Sequence, residues 1–157
     1  QEGFAEAIDR LAKGFNAVAL IFGGPDDEDA CKGVSERLSA RHINLAGVMN
    51  LRQAIALSER LSLFITNDSG AMHLSAALGV PTVAIFGSTD PVLTGPVGKA
   101  VKVVKKNDVP CSPCFKRRCP HGHYKCLTEI TPQEVYEAAE CLLKAEVKRC
   151  PAWQKRT

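Results

Sequence analysis

The run Pro-Thr-Val-Ala-Ile-Phe-Gly at residues 81–87 constrains this chain more than any other stretch. It is nearly continuous in apolar side chains instead of alternating, as suits a strand covered on both faces in a parallel sheet. Two further runs, Asn-Ala-Val-Ala-Leu-Ile-Phe at 16–22 and Leu-Ser-Leu-Phe-Ile-Thr at 61–66, read the same way. The segments between them have helical spacing. Phe4, Ile8, Leu11 and Phe15 recur along an opening amphipathic helix. The segment from Asp26 to Arg41 starts with acids that suit the positive end of a helix dipole. Leu51, Ile55 and Leu57 lie near one face of a third helix, and residues 42–50 form a short strand or loop. Residues 70–79 make a helix stopped by Gly79, with Pro81 just beyond. Ala-Val-Lys-Val-Val-Lys-Lys at 100–106 is a last strand, nearer an edge because of its lysines. A final helix over 131–146 carries its own start signal: Thr131 as N-cap, Pro132 at the first helical position and Glu134 completing a capping box. Strands alternating with helices predict an α/β fold, a Rossmann-like three-layer domain with a mainly parallel sheet.

At 157 residues the chain suits one domain, so 1–157 is read as a unit with a cysteine-rich loop at 107–128. A net charge of +3 is too mild for a nucleic-acid footprint, and no nucleic-acid partner is expected. No apolar run approaches the roughly 20 residues that cross a bilayer, and no signal peptide is visible. The chain opens Gln-Glu-Gly-Phe and enters a helix almost at once, which is expected of a piece of a longer protein. Seven cysteines, an odd number with Cys31, Cys141 and Cys150 scattered, argue against a secreted disulfide framework and for a reducing cytoplasm.

Function should sit where strands end. In open α/β sheets ligands bind beyond the carboxyl ends of the strands. The strand ending at Asn67 delivers Asp68, Ser69 and Gly70 to that edge. Gly70 allows close backbone approach, and the helix beginning there aims unpaired N–H groups outward, a ready phosphate site. His73 follows one turn later and can face the same place. The plainer alternative is that Asp68 or Ser69 only caps the helix and that His73 is a surface or core histidine. Two more polar, glycine-containing loops end strands on this edge, Gly23-Gly24-Pro25-Asp26-Asp27 and Gly87 to Pro96. Three such loops favour a ligand cleft over coincident caps.

Taken together, residues 67–96, "NDSGAMHLSAALGVPTVAIFGSTDPVLTGP", resemble the ADP-heptose:lipopolysaccharide heptosyltransferases, in particular the heptosyltransferase II-like members. The similarity extends through "IFGGPDDEDA", "INLAGVMNLRQAIALSERLSLF" and "ITPQEVYEA". These bacterial glycosyltransferases have the GT-B architecture of two facing Rossmann-like domains. The resemblance is to the C-terminal, nucleotide-sugar-binding domain, which implies that the N-terminal acceptor domain is absent from this chain. It implies that Ser69 and Gly70 give backbone donors to the donor diphosphate and that Asp68 lies near the heptose hydroxyls. His73 matches a histidine on the phosphate and sugar side, and Met49 falls where a side chain packs against adenine. Asp27 or Glu28 matches the acid that holds the ribose hydroxyls, with the choice between them open. The loop containing Thr89, Thr94 and Gly95 should border the sugar.

The reaction implied is inverting transfer of heptose from ADP-heptose to the inner core of lipopolysaccharide, with no cofactor required for catalysis. Its base is an aspartate of the N-terminal domain, so no catalytic residue is assigned in this chain. The 157-residue stretch is expected to bind donor weakly and not to turn over alone. Cytoplasmic location is implied, with peripheral contact at the cytoplasmic face of the inner membrane where the acceptor is anchored. Lys116, Arg117 and Arg118, near in sequence to Lys102, Lys105 and Lys106, could attract anionic headgroups there, although a charge run is usually a solvated face.

The remaining feature is "CSPCFKRRCPHGHYKC", with Cys111, Cys114, Cys119 and Cys126 spaced C-x2-C-x4-C-x6-C and His121 and His123 nearby. Free thiols, disulfides, a structural zinc or an iron–sulfur cluster are the readings open to it. Some family members carry a similar insert and others lack it, which argues against a part in the common chemistry. Two alternatives to the transferase follow: a non-catalytic binding module stabilised by metal in this loop, or a GT-B-fold sugar-nucleotide epimerase.

Overall fold

Short apolar runs become short parallel strands here. The computed structural model describes the backbone of residues 1–149 and the side chains of residues 1–145; Cys150 lies outside them. The chain divides into two compact units, Gln1–Leu57 and Ser58 onward.

In the first unit, β1 (Ala19–Ile21) pairs in parallel with β2 (His42–Asn44), Leu20 opposite Ile43. Helix α1 (Glu2–Phe15) packs on α2 (Glu28–Ser35), and α3 (Leu51–Ser58) closes the unit. The side chains that α1 buries fully are Ala5, Ala7, Leu11 and Ala12, while Phe4, Ile8 and Phe15 are only half-buried. Leu11 of the expected stripe is buried together with the alanines beside it, so the helix is amphipathic as its spacing predicts. Asp9 on α1 accepts the backbone N–H groups of Ser39 (3.0 Å) and Ala40 (2.8 Å), fixing the turn before β2.

In the second unit, β3 (Phe64–Asn67), β4 (Thr82–Phe86) and β5 (Val101–Lys105) form a parallel sheet in that order. Every residue of β4 is buried, and β5 is the edge strand its lysines predict. Helix α4 (Gly70–Ala77) covers the face of Thr82, Ala84 and Phe86. There Met72 meets Ala84 and Phe86, and Thr82 Oγ1 donates to Ser75 Oγ at 3.0 Å. Val83, Ile85 and Val104 turn to the opposite face by strand alternation. Helix α7 (Pro132–Arg149) packs on β4 and β5, burying Val135, Ala139 and Leu142. Helix on sheet on helix is the three-layer order expected. Gly79 ends α4 with φ +75°, a left-handed turn that glycine enters at no steric cost.

The α7 start signal forms as predicted: Thr131 N donates to Glu134 Oε2 (2.7 Å) and Glu134 N to Thr131 Oγ1 (3.3 Å). Lys106 then clasps the other Glu134 oxygen at 2.7 Å, tying the end of β5 to this helix. That ion pair, with the Thr131 bonds, lowers the Glu134 pKa to about 2. Two short helices complete the unit, α5 (Pro91–Thr94) and α6 (Lys125–Thr128), the latter inside the cysteine-rich stretch. No helix among the described residues is long and apolar enough to cross a membrane.

Candidate functional site

The chain passes from β3 into α4 through two residues, Asp68 and Ser69. Parallel pairing carries the ends of β3 and β4 to the same edge, with Asn67 opposite Ile85. Asp68 N donates to Ile85 O (3.1 Å), so this turn is pinned to the next strand by its backbone, leaving its side chain for other work. Ser69 is the N-cap of α4 by position, with extended φ and ψ, yet no side chain caps the helix. Its hydroxyl instead meets Thr66 Oγ1 at 3.2 Å. The simple capping role that sequence alone allowed for Asp68 and Ser69 is therefore not the one they play. What remains at the edge is an uncapped helix N-terminus, where backbone N–H donors and the positive dipole end coincide. A Cβ built on Gly70 would meet nothing within 4 Å, so open space stands before it. His73 is solvent-exposed.

The loop after β4 comes to the same place. Asp90 accepts the Val92 N–H at 2.9 Å and, with Pro91 at the first position, starts α5. Thr94, the last residue of α5, aims its hydroxyl at Asp68 Oδ2, a long contact of 3.4 Å, and at Asp90 O, 3.1 Å. Asp68 and Thr94, 26 positions apart, are thereby brought together. Gly95 is required sterically, because a Cβ there would strike the Pro91 carbonyl oxygen. Thr89 is half-buried at the start of this loop.

The first unit carries the other candidates, and its geometry separates two of them. Asp27 Oδ2 accepts the Gly24 N–H at 3.1 Å while Asp27 N donates to Gly24 O, so this carboxylate is spent on the Pro25–Asp27 turn. The carboxylate of Glu28 lies instead over Gly47, where a Cβ would collide with it. Gly47 sits at φ +70° in the turn that leads to half-buried Met49. Asn50 and Gln53 form a reciprocal cap at the start of α3, 2.9 and 3.0 Å, which fixes the exit from that turn. Beneath Gly23, the Cys31 thiol is pushed up in pKa by burial and then by the Asp27 charge.

The cysteine-rich loop lies against β4. Ser112 Oγ donates to Gly87 O (2.8 Å) and Phe115 N to Ser88 O (2.7 Å). The His121 and His123 rings stack at 5.5 Å, and His123 Nε2 lies 3.9 Å from Cys111 Sγ. Backbone N–H groups, that of Tyr124 foremost, lower the Cys119 pKa, whereas burial and then the neighbouring cysteines raise that of Cys126. Among the described residues no three His, Cys, Asp or Glu side chains stand as a ready-made metal-ligand set. Sequence reading missed the Asp68–Thr94 contact and the Gly87–Ser88 anchorage; the alternating strand pattern placed these loops on one edge but could not say which side chains meet.

Comparison with known proteins settles the family. The profile of glycosyltransferase family 9 (heptosyltransferase) matches residues 1–125. The chain belongs to that family. It is 38% identical over 129 residues to lipooligosaccharide heptosyltransferase 2 of Campylobacter jejuni, covering 80% of this chain and 40% of that one. The structure of Escherichia coli ADP-heptose LPS heptosyltransferase II superposes with a TM-score of 0.76 at 30% identity, over 92% of this chain and 41% of the other. An E. coli heptosyltransferase solved with ADP gives 0.66 at 26% identity, over 90% and 38%. The chain thus spans about two fifths of the length of the curated relatives it matches.

Proposed function

We propose that this chain is the nucleotide-sugar-binding part, the C-terminal half, of a GT-B heptosyltransferase that moves heptose from ADP-heptose to the inner core of lipopolysaccharide with inversion. The observation that carries this reading is the uncapped N-terminus of α4 opening at the ligand edge, with Asp68 and Thr94 beside it. Breaking the glycosidic bond leaves a diphosphate with growing negative charge. Fixed donors and a dipole aimed at that charge lower the barrier without having to reorganise. Ser69 and Gly70 supply those donors, and His73 stands one turn along the same helix.

Asp68 holds heptose hydroxyls, with Thr89, Thr94 and Gly95 bordering the sugar. Glu28 is the better candidate for the ribose hydroxyls, because Asp27 is engaged in its own turn; Met49 packs against adenine. Attack by the acceptor hydroxyl needs a base, supplied by an aspartate in a part of the protein outside this chain. Cytoplasmic location, with contact at the inner-membrane face, follows from the anchored acceptor.

Two measurements test the reading. ADP-heptose should raise the melting temperature of the isolated chain, which should show no heptose transfer. In the full-length enzyme Asp68→Asn should cut transfer by tenfold or more with folding intact. Turnover by the isolated chain, or a donor that leaves its melting unchanged, overturns it.

A further inference from the structure

The loop between β5 and α7 has almost no core of its own. Of residues 107–128, Val109 and Cys126 alone are buried, while Phe115, Tyr124 and Leu127 are exposed. Apart from the single turn of α6 the stretch has no regular structure, and long loops of that kind rarely keep one shape unless something fastens them. Hydrogen bonds to Gly87 and Ser88 secure one side of this loop. The other side is lined by sulfur: Cys111, Cys114, Cys119 and Cys126 all face one pocket.

We propose that Cys111, Cys114, Cys119 and Cys126 close around a single zinc ion that staples this loop onto the end of β4. The backbone already turns where such a site needs it. Phe115, directly after Cys114, is left-handed at φ 54°, and Gly122 and Tyr124, after Cys119, are at 71° and 49°. The second reversal is closed by Gly122 N donating to Cys119 O at 3.2 Å, which fixes the turn that carries the Cys119 sulfur into the pocket. Charge agrees as well. Four thiolates around a dication carry a net charge of −2, and Lys116 and Arg117 line the same pocket. The sulfurs do not yet stand at ligand spacing, so binding draws the two turns together to Zn–S distances of about 2.3 Å and releases the thiol protons to solvent.

Because the loop grips Gly87 and Ser88, which lead into Thr89–Gly95, the ion braces the strand end beside α4. The site rests on the loop's own geometry and stands or falls independently of the donor assignment.

The test is metal analysis of the full-length protein purified anaerobically without added zinc. One zinc per chain is expected, replaceable by cobalt with thiolate-to-cobalt charge-transfer absorption. Cys114→Ser and Cys119→Ser should lose the metal, whereas Cys141→Ser and His123→Ala should keep it. Should the cysteine variants fail to fold, alkylation of the wild type decides. Four thiols should be protected until a strong chelator is added, and then react. Absence of stoichiometric metal, iron with acid-labile sulfide, metal lost with His123→Ala, or thiol reactivity indifferent to chelator would each overturn the proposal.

Discussion

Gly70→Ala separates a phosphate-binding helix start from an ordinary one. Gly70 is the first residue of α4, it lacks the positive φ that glycine alone tolerates, and its missing Cβ would touch nothing in the protein. Folding should therefore be indifferent or slightly favoured, since replacing glycine by alanine at a compatible position stabilises by about 0.4–1 kcal/mol through the unfolded chain. A diphosphate bonded to the N–H groups here would lie at van der Waals contact with the new methyl. Losing or lengthening one hydrogen bond to a charged group costs about 1.5–3 kcal/mol, or roughly 10- to 100-fold in donor affinity. The assay is ADP-heptose titration by calorimetry on the full-length enzyme, with thermal melting beside it. Gly79→Ala is the matched control: its Cβ also meets nothing, but φ is +75°, so it should lower the melting temperature and leave donor affinity unchanged. An unchanged melting temperature with donor affinity within twofold of wild type for Gly70→Ala would remove the phosphates from this helix end.

Other perturbations probe the rest of the chain. Glu28→Gln should raise the KM for donor several-fold with little change in melting, whereas Asp27→Asn, which weakens the turn bond to Gly24, should act mainly on stability. Phe86→Ala removes a fully buried ring packed on Met72 and should cost about 3–5 kcal/mol in urea unfolding. The Glu134 pKa of about 2 lies below its ordinary 4.5, so its contribution is present above pH 4.5 and fades as pH falls from there toward 2. Because that side chain is about a third exposed, solvent screening holds the contribution to about 1 kcal/mol or less, and Lys106→Met should flatten this acid limb of the melting profile.

What could be read in the sequence, and what could not, divides by the range of the forces involved. The α7 capping box, the Gly79 stop and the buried β4 strand were legible because each is decided by neighbours within a few residues or by a run of one character. The amphipathic helix α1 was legible from its spacing, but that Ala5, Ala7 and Ala12 would be more buried than Phe4, Ile8 and Phe15 was not, because periodicity registers large side chains. Helix α6 was missed for a related reason: its four residues are too few to show a period, and their packing on β4 holds them. The candidate site lay between these cases. Strand-end logic and family resemblance singled out Asp68, Ser69 and Gly70 as candidates. Whether Ser69 would spend its hydroxyl on the helix depended on Thr66, and whether Asp68 would be met by Thr94 depended on Asp90 and Pro91 turning the next loop back. An N-cap residue whose hydroxyl is held elsewhere leaves its helix donors for a ligand. That is a property of side-chain partners across the sheet edge, and the motif D-S-G-x-x-H by itself does not contain it.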